Sequence, residues 1–176
     1  VFHTGLRNPQ ELAFDDYGVL FTGDYNSDGG DLAWLVHVAE GGETGWRMEY
    51  QTLGGVNNRG PWVQDGLWET RHEHRPAWSL PPVAHVGNGP SGLVHYPGLG
   101  LDARYDDHFF MCNFSGTPVH SQVKSFAVEP DGAGYRVVDV HDFASNVLCT
   151  DVDFGYDGRM YISDWVEGWY QEENGR

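Results

Sequence analysis

The sequence predicts an all-β protein built from repeated antiparallel sheets, and three features of its 176 residues support this class. No window keeps a helical apolar period over the roughly 12 residues that a helix assignment needs. Short runs of alternating apolar residues recur instead, separated by turns rich in Gly, Pro, Asn and Asp. The third feature is an internal repeat, which defines the architecture more closely than the other two.

The repeat consists of two clear copies and one looser copy. Residues 11–24 and 151–164 place an acidic residue, an aromatic, a Gly, a second aromatic and an Asp at the same offsets. The looser copy begins at 92–98 and, after an insertion, continues at 109–113. Each copy is typical of two strands joined by a Gly-containing turn.

The spacing of the copies is that of blades in a β-propeller. The equivalent residues Asn113 and Asp164 are about 50 residues apart, close to the ~40–50 residues of a four-stranded blade. The longer interval from Asp24 to Asn113 fits one blade plus a long loop insertion at about 46–90. We therefore expect residues 1–176 to be part of a single six-bladed β-propeller domain, a fragment of about two and a half blades.

Further strands are expected where a blade needs them. Residues 31–38 follow the first copy, and residues 122–128 and 135–140 follow the looser one, with strong turn chemistry at 129–134 between them. The insertion carries a cluster of Trp side chains that either pack the loop onto the propeller or stack on a flat ligand. These residues are Trp46, Trp62, Trp68 and Trp78.

Composition excludes several classes of partner. A net charge of −16 disfavours nucleic acid and anionic membranes, because both would repel the chain, and leaves neutral or cationic ligands and metal ions. No apolar stretch approaches the ~18 residues of a membrane span. Cys112 and Cys149 are expected to be buried thiols. Because the chain starts at Val1 without Met, we expect a piece of a longer protein.

The first candidate site lies just before a predicted strand, in Gly5-Leu-Arg-Asn-Pro-Gln10. Polar side chains at the entry to a blade's first strand lie near the mouth of the central channel. Arg7 offers a planar fork of donors for a carboxylate, and Asn8 and Gln10 offer amides that orient a polar ring. The pattern alone also fits a turn at Asn8 with Arg7 in an ion pair between blades.

The second candidate site is the segment 24–31, which contains D-x-N-x-D-G, the opening of a calcium loop. An EF-hand is excluded because Leu35 stands where the bidentate Glu is required. A hard-cation site formed by Asp24, Asn26, Asp28 or backbone carbonyls remains, and so does a surface turn rich in Asp and Asn.

Several motifs in order along the chain resemble those of the soluble quinoprotein glucose and aldose sugar dehydrogenases and the related sorbosone-dehydrogenase-like propellers. The closest resemblance is to the membrane-bound dehydrogenase proteins of planctomycete-type bacteria. The motifs are Gly5-x-Arg7-Asn8-Pro9-Gln10-x-Leu12, Gly29-Gly30-Asp31, Thr44-Gly45-Trp46, Pro90-Ser91-Gly92-Leu93 with Tyr96, and Asp151-Val152 with Tyr156-Asp157-Gly158-x-x-Tyr161.

This resemblance implies that the propeller binds pyrroloquinoline quinone (PQQ) with calcium and oxidises a sugar or alcohol. It assigns Arg7, Asn8 and Gln10 to the quinone, and the turn at Asn26 and Ser27 to the calcium. It also implies an extracytoplasmic, periplasmic location and a c-type cytochrome domain in the full-length bacterial protein. The catalytic His of the family lies upstream of this segment.

The sequence departs from the family at two cofactor positions. Its arginine-rich motif is replaced by Val147-Leu-Cys-Thr150, and its lysine is replaced around Phe114-Ser-Gly116. Two other functions therefore stay open. One is a non-catalytic propeller module that binds a carbohydrate or a partner domain. The other is a gluconolactonase-like metal-dependent hydrolase, for which Asp24, Asn113 and Asp164 are the candidate ligands.

Overall fold

The computed structural model describes residues 1–46, 61–70, 77–166 and 168. Its strands form three antiparallel sheets and one short parallel pair. The strands are β1 His3–Thr4, β2 Pro9–Phe14, β3 Leu20–Asp24, β4 Trp34–His37, β5 Gly42–Glu43, β6 Pro90–His95, β7 His108–Asn113, β8 Gln122–Asp131, β9 Gly134–Ser145, β10 Cys149–Phe154 and β11 Met160–Asp164. The helical segments are α1 Pro61–Gln64 and two 3-10 turns, Ala103–Tyr105 and Pro118–His120. None of the helices in the described ranges is long and apolar enough to cross a membrane.

We call the three antiparallel sheets the first, second and third blades. The first blade has the order β2-β3-β4, the second β6-β7-β8-β9, and the third β10-β11. Strand β6 contacts both β2 and β10, so the first strands of the three blades are neighbours. The strand pairs predicted from the three repeat copies are all present: β2 with β3, β6 with β7, and β10 with β11.

A segment near Ala84, far along the chain, pairs with the outer edge of the first blade. Ala84 forms an isolated antiparallel bridge with Leu35 on β4, and the Leu35 amide donates to the Ala84 carbonyl at 2.8 Å. The segment that leads back from the predicted insertion thus occupies the fourth strand position of this blade. Residues 47–60 and 71–76 of that insertion lie outside the described residues.

The blades stack face to face, and strand β7 has both faces covered. Phe109 and Met111 pack against the first blade, whereas Phe110 and Cys112 pack against the third. All six residues of β7 are buried, which explains its nearly continuous apolar sequence. The prediction of buried thiols is confirmed for Cys112 and Cys149. A hydrogen bond that the Cys112 thiol donates to Cys149 raises the pKa of Cys112, and burial raises it further.

Tryptophan side chains anchor the described part of the insertion to the first blade. Trp62 on α1 packs edge-to-face on Trp34 of β4 and on Trp46, with ring centroids 4.9 and 5.7 Å apart. Trp34, Trp46 and Trp62 are buried, whereas Trp78 is 58% exposed. For Trp46 and Trp62 the packing interpretation is therefore confirmed.

A pair of carboxyl groups joins the first and third blades across β6. Glu11 Oε2 accepts a hydrogen bond from the Leu93 amide at 2.7 Å, and the carboxyl of Asp151 lies beside that of Glu11. A Cβ at Gly92 would lie 2.8 Å from the Asp151 Cα, so only glycine allows this approach. Burial raises the pKa of Glu11, and the neighbouring charges of Asp151 and Asp153 raise it further.

Replacing Glu11 with Gln is expected to raise the melting temperature at pH 7. Folding raises the Glu11 pKa above its ordinary value of 4.5, so the protonated Glu11 stabilises the folded state. This contribution to stability is fully present below pH 4.5 and is lost as the pH rises through the raised pKa. A Gln amide keeps an acceptor for Leu93 and donates to Asp151 without a second charge. Thermal unfolding followed from about pH 4 to pH 8 measures the difference, which should grow with pH. The exposed Glu40→Gln is the matched control, and an equal rise in that variant would contradict the explanation.

Candidate functional site

The loop before β2 is fixed by the buried carboxylate of Asp24. Its two oxygens accept hydrogen bonds from the backbone amides of Arg7 at 2.9 Å and Asn8 at 2.7 Å, and from the Trp34 indole at 3.0 Å. Asp24 is fully buried at the end of β3, and burial raises its pKa, while these hydrogen bonds lower it. The arrangement holds the Arg7 and Asn8 backbone in place and leaves their side chains available to a ligand.

The equivalent residues of the other two blades also accept hydrogen bonds from backbone amides. Asn113 Oδ1 accepts from the amides of Asn88 at 2.8 Å and Gly89 at 3.1 Å. Asp164 Oδ1 accepts from the amides of Leu148 at 3.1 Å and Val166 at 2.9 Å. The repeated Asp or Asn is therefore a cap on the loop that precedes the first strand of its own blade.

The capped loops converge on one cavity of about 640 Å³. It lies at the end of the sheets where β2, β6 and β10 begin, and all three blades contribute to it. The residues that line it are Arg7, Asn8, Gln10, Tyr25, Asn26, Asp28, Asn88, Ser91, Phe114, Ser115, Gly116, Thr150 and Trp165. The size is in the usual range for a small-molecule site, ~300–1,000 Å³.

The three side chains predicted to bind a cofactor all line this cavity. Arg7 Nη2 lies 3.2 Å from Asp28 Oδ2, and the guanidinium carbon lies 5.9 Å from the Trp46 ring centroid. Gln10 Nε2 donates to Asn8 Oδ1 at 2.8 Å, which orients both amides. The structure thus places one guanidinium and two amides on the same wall. Their role toward a ligand stays a prediction.

The segment predicted to bind a metal divides between the cavity and the interior. Asn26 and Asp28 line the cavity. Ser27 is fully buried, and both its amide and its hydroxyl donate to Asp31 at 2.8–2.9 Å. Asp31 also accepts from the Trp62 indole at 2.6 Å, so the loop is built around this one carboxylate.

Asp24, the fourth predicted ligand, serves the cap described above. Its two oxygens already accept three N–H groups, and the cavity wall is formed by its neighbours in the chain. Metal binding by Asp24, Asn26, Ser27 and Asp28 stays a prediction. Among these residues, Asn26 and Asp28 have side chains at the cavity, while Asp24 and Ser27 are buried.

Sequence reasoning did not select several residues of the second and third blades that line the cavity. Thr150 and Phe114-Ser-Gly116, where the sequence resemblance implies that cofactor cations are replaced, lie on the same cavity as Arg7. Trp165 follows β11 and is 52% exposed. Asn88 is the equivalent of Arg7 in the second blade, because its backbone amide donates to Asn113 as the Arg7 amide donates to Asp24. The sequence repeat could therefore have identified Asn88.

These observations define a class of protein: blades of a β-propeller with a cavity where their first strands begin. No protein-family model matches the chain, and no curated protein matches it. Solved structures do match, and they confirm the predicted all-β propeller fold.

One similar structure is a Thermus thermophilus protein described as an oxidoreductase (glucose dehydrogenase), with a TM-score of 0.64, 20% identity, and coverage of 93% of this chain and 41% of that one. Another is the soluble aldose sugar dehydrogenase of Escherichia coli in its apo form, with a TM-score of 0.60, 18% identity, and coverage of 92% and 43%. A third is the holo form of the PQQ domain of Coprinopsis cinerea pyranose dehydrogenase, with a TM-score of 0.50, 12% identity, and coverage of 94% and 53%. The chain thus spans from about two fifths to about half the length of these structures.

Proposed function

We propose that the chain is part of a PQQ-dependent sugar or alcohol dehydrogenase and that the cavity at Arg7 holds the cofactor. The observation that carries the proposal is the convergence of Arg7, Asn8 and Gln10 with the Asn26 and Asp28 loop on one cavity. The fold also supports it, because the similar structures are described as glucose and aldose sugar dehydrogenases.

The residues present fit the cofactor in size and chemistry. PQQ is a flat quinone that carries carboxylates, and a guanidinium binds a carboxylate through two parallel donors. The Asn8 and Gln10 amides lie beside Arg7 and offer hydrogen bonds to ring oxygens. Phe114 and Trp165, on the other blades, offer apolar faces that exclude water from a flat ring.

The same wall fits a hard cation. Oxygen ligands suit calcium, and Asn26 and Asp28 present an amide and a carboxylate at the cavity. Arg7 is the one Lys or Arg among the described residues that line the cavity, and its Nη2 lies 3.2 Å from Asp28 Oδ2. A bound calcium ion adds the positive charge that balances further carboxylates. When bound, PQQ supplies the two-electron acceptor for oxidation of the substrate.

A binding module is the second candidate. The two positions where the family's cations are replaced are uncharged, and aromatic Phe114 and Trp165 stand near them. Aromatic faces with amides are also what a carbohydrate site uses. The hydrolase alternative is less well supported, because Asp24, Asn113 and Asp164 all accept hydrogen bonds from backbone amides of their own blades.

Cofactor binding tests the proposal. With calcium present, the full-length protein is expected to bind PQQ in a calorimetric titration. Arg7→Ala should weaken this binding by about tenfold or more, equivalent to about 1.4 kcal/mol or more. Arg136→Ala is the matched control, because Arg136 is an exposed arginine paired with Glu129 on the second blade's outer hairpin, and it should bind like the unaltered protein.

The outcomes separate the two candidates. Absence of PQQ binding together with saturable binding of a sugar would overturn the dehydrogenase and favour the module. Equal losses in the two arginine variants would remove Arg7 from the site. Reduction of an artificial electron acceptor by sugars with the loaded protein then identifies the substrate class.

We also infer from the family resemblance that the full-length bacterial protein works outside the cytoplasm and passes electrons to a c-type cytochrome domain. A sugar or alcohol is its small-molecule substrate. Fractionation of the source cells and reduction of a haem in the purified full-length protein test these two inferences separately. No haem signal and recovery in the cytoplasmic fraction would contradict them.

A further inference from the structure

A second group of ligand-type side chains lies at the opposite end of the blades from the cavity at Arg7. Asp16 stands in the turn after β2, His95 ends β6, and Asp107 immediately precedes β7. One ligand atom from each residue lies within 4.8 Å of the other two. The first cavity adjoins the start of β2, so about 20 Å of a six-residue strand separates the two places.

The imidazole of His95 makes this group more than a set of surface carboxylates. Its side chain is only 9% exposed, and its ring packs edge-to-face on Phe109 with centroids 4.8 Å apart. Within the described part of the chain the His95 imidazole makes no hydrogen bond, and its Nδ1 lies 3.6 Å from Asp16 Oδ1. An imidazole that packing holds in place, and whose nitrogens make no hydrogen bond to the described residues, is available to bind a metal ion.

The charged residues described in the cavity beside this imidazole are all acidic. His95 and Asp107 line a cavity of about 500 Å³ whose other charged lining residues are Asp15, Asp106 and Glu129. The Asp15 carboxylate accepts hydrogen bonds from the amides of Tyr17 and Val19, and Glu129 forms an ion pair with Arg136. Asp16 and Asp107 have no hydrogen-bond donor among the residues described, and no Lys or Arg lines the cavity.

We propose that Asp16, His95 and Asp107 form a site for a divalent transition-metal ion such as Zn²⁺. Tetrahedral ligands at bonds of ~2.1 Å lie ~3.4 Å from one another, so the exposed carboxylates need to move by about 1–1.5 Å to bind one ion. An imidazole with two carboxylates favours zinc or manganese over calcium, which takes six or more oxygens. Because Asp16 belongs to the first blade and His95 and Asp107 to the second, the ion links two blades.

The test is a calorimetric titration of Zn²⁺ into the full-length protein after treatment with a chelator. One ion is expected at the site. Asp16→Asn and Asp107→Asn should each weaken binding by about tenfold or more, since each removes a charged ligand. Asp65→Asn is the matched control, because Asp65 is an exposed carboxylate after α1, away from the site. Zinc at 100 times its dissociation constant should raise the melting temperature of the full-length protein by roughly 3–5 °C.

Two results would overturn the site. The first is zinc binding that the Asp16→Asn and Asp107→Asn variants retain at full affinity, and the second is the absence of saturable zinc binding. Imidazole NMR adds a readout of the His95 ligand, because zinc near its dissociation constant should shift the His95 signals in the unaltered protein and shift them far less in Asp16→Asn. Calcium that binds as tightly as zinc would also contradict a site that depends on His95. None of these outcomes depends on PQQ.

Discussion

Replacing Asp24 with Ala is expected to destabilise the protein by about 3 kcal/mol or more, a large part of the ~5–15 kcal/mol that folded domains have. The substitution leaves the amides of Arg7 and Asn8 and the Trp34 indole without an acceptor in a fully buried place. Each buried donor left unpaired costs about 1–3 kcal/mol. Urea unfolding measures the loss.

Asp24→Asn is the graded control for this experiment. Asparagine stands at the equivalent position of the second blade, where Asn113 Oδ1 accepts two backbone amides. In the first blade, however, the Asn amide nitrogen faces either the Trp34 indole or a backbone donor, so a loss of about 1–2 kcal/mol is expected. Equal losses for Ala and Asn would show that hydrogen bonding does not explain the role of Asp24.

Phe110→Ala is expected to cost about 3–5 kcal/mol, because it empties the centre of the core between the second and third blades. Phe110 is fully buried, and its ring packs at 4.9 Å from Phe143 and at 5.6 Å from Tyr105 and Phe154. The neighbouring sheets cannot collapse into the space without breaking their own strand pairing. Denaturant unfolding with a constant m-value gives the change in free energy.

Two further variants make the Phe110 result specific. Phe110→Leu keeps most of the volume and should cost no more than about 1.5 kcal/mol. Phe14→Ala removes a ring that is 61% exposed at the end of β2, and its effect should stay within about 0.5 kcal/mol. If all three variants lost the same stability, packing between the blades would not be the cause.

The blade structure could be predicted because each blade repeats the same local chemistry. Gly18 and Gly158 have positive φ angles of 79° in equivalent turns, and these Gly residues set the frame of the sequence repeat. Asp24 and Asp164 end equivalent strands, and both cap the loop before their blade. Local conformational requirements of this kind leave a mark in the sequence at fixed spacing.

Features that depend on contacts between residues far apart in the sequence have no local sequence pattern from which to predict them. Strands β8 and β9 run to Asp131 and Ser145, well beyond their predicted ends. Strand β8 continues through exposed residues to the turn, and β9 continues until Phe143 packs on Phe110. Ala84 pairs with Leu35 across the long insertion, a contact that no local pattern encodes. The candidate site was found in part: Arg7 stands in a dense motif, whereas Thr150 joins it only through the stacking of the blades.

The capping Asp and Asn residues accept hydrogen bonds from backbone amides, so the residues that hold the loops are not those that would contact a ligand. Asp24 binds Arg7 and Asn8, and Asn113 binds Asn88, through groups that every residue except proline possesses. Side chains at these loop positions can therefore change without loss of the bonds that hold the loops. A lineage could redesign the cavity wall one residue at a time while its scaffold stays under constant selection. The blades thus provide a frame on which new ligand specificities can evolve at little cost in stability.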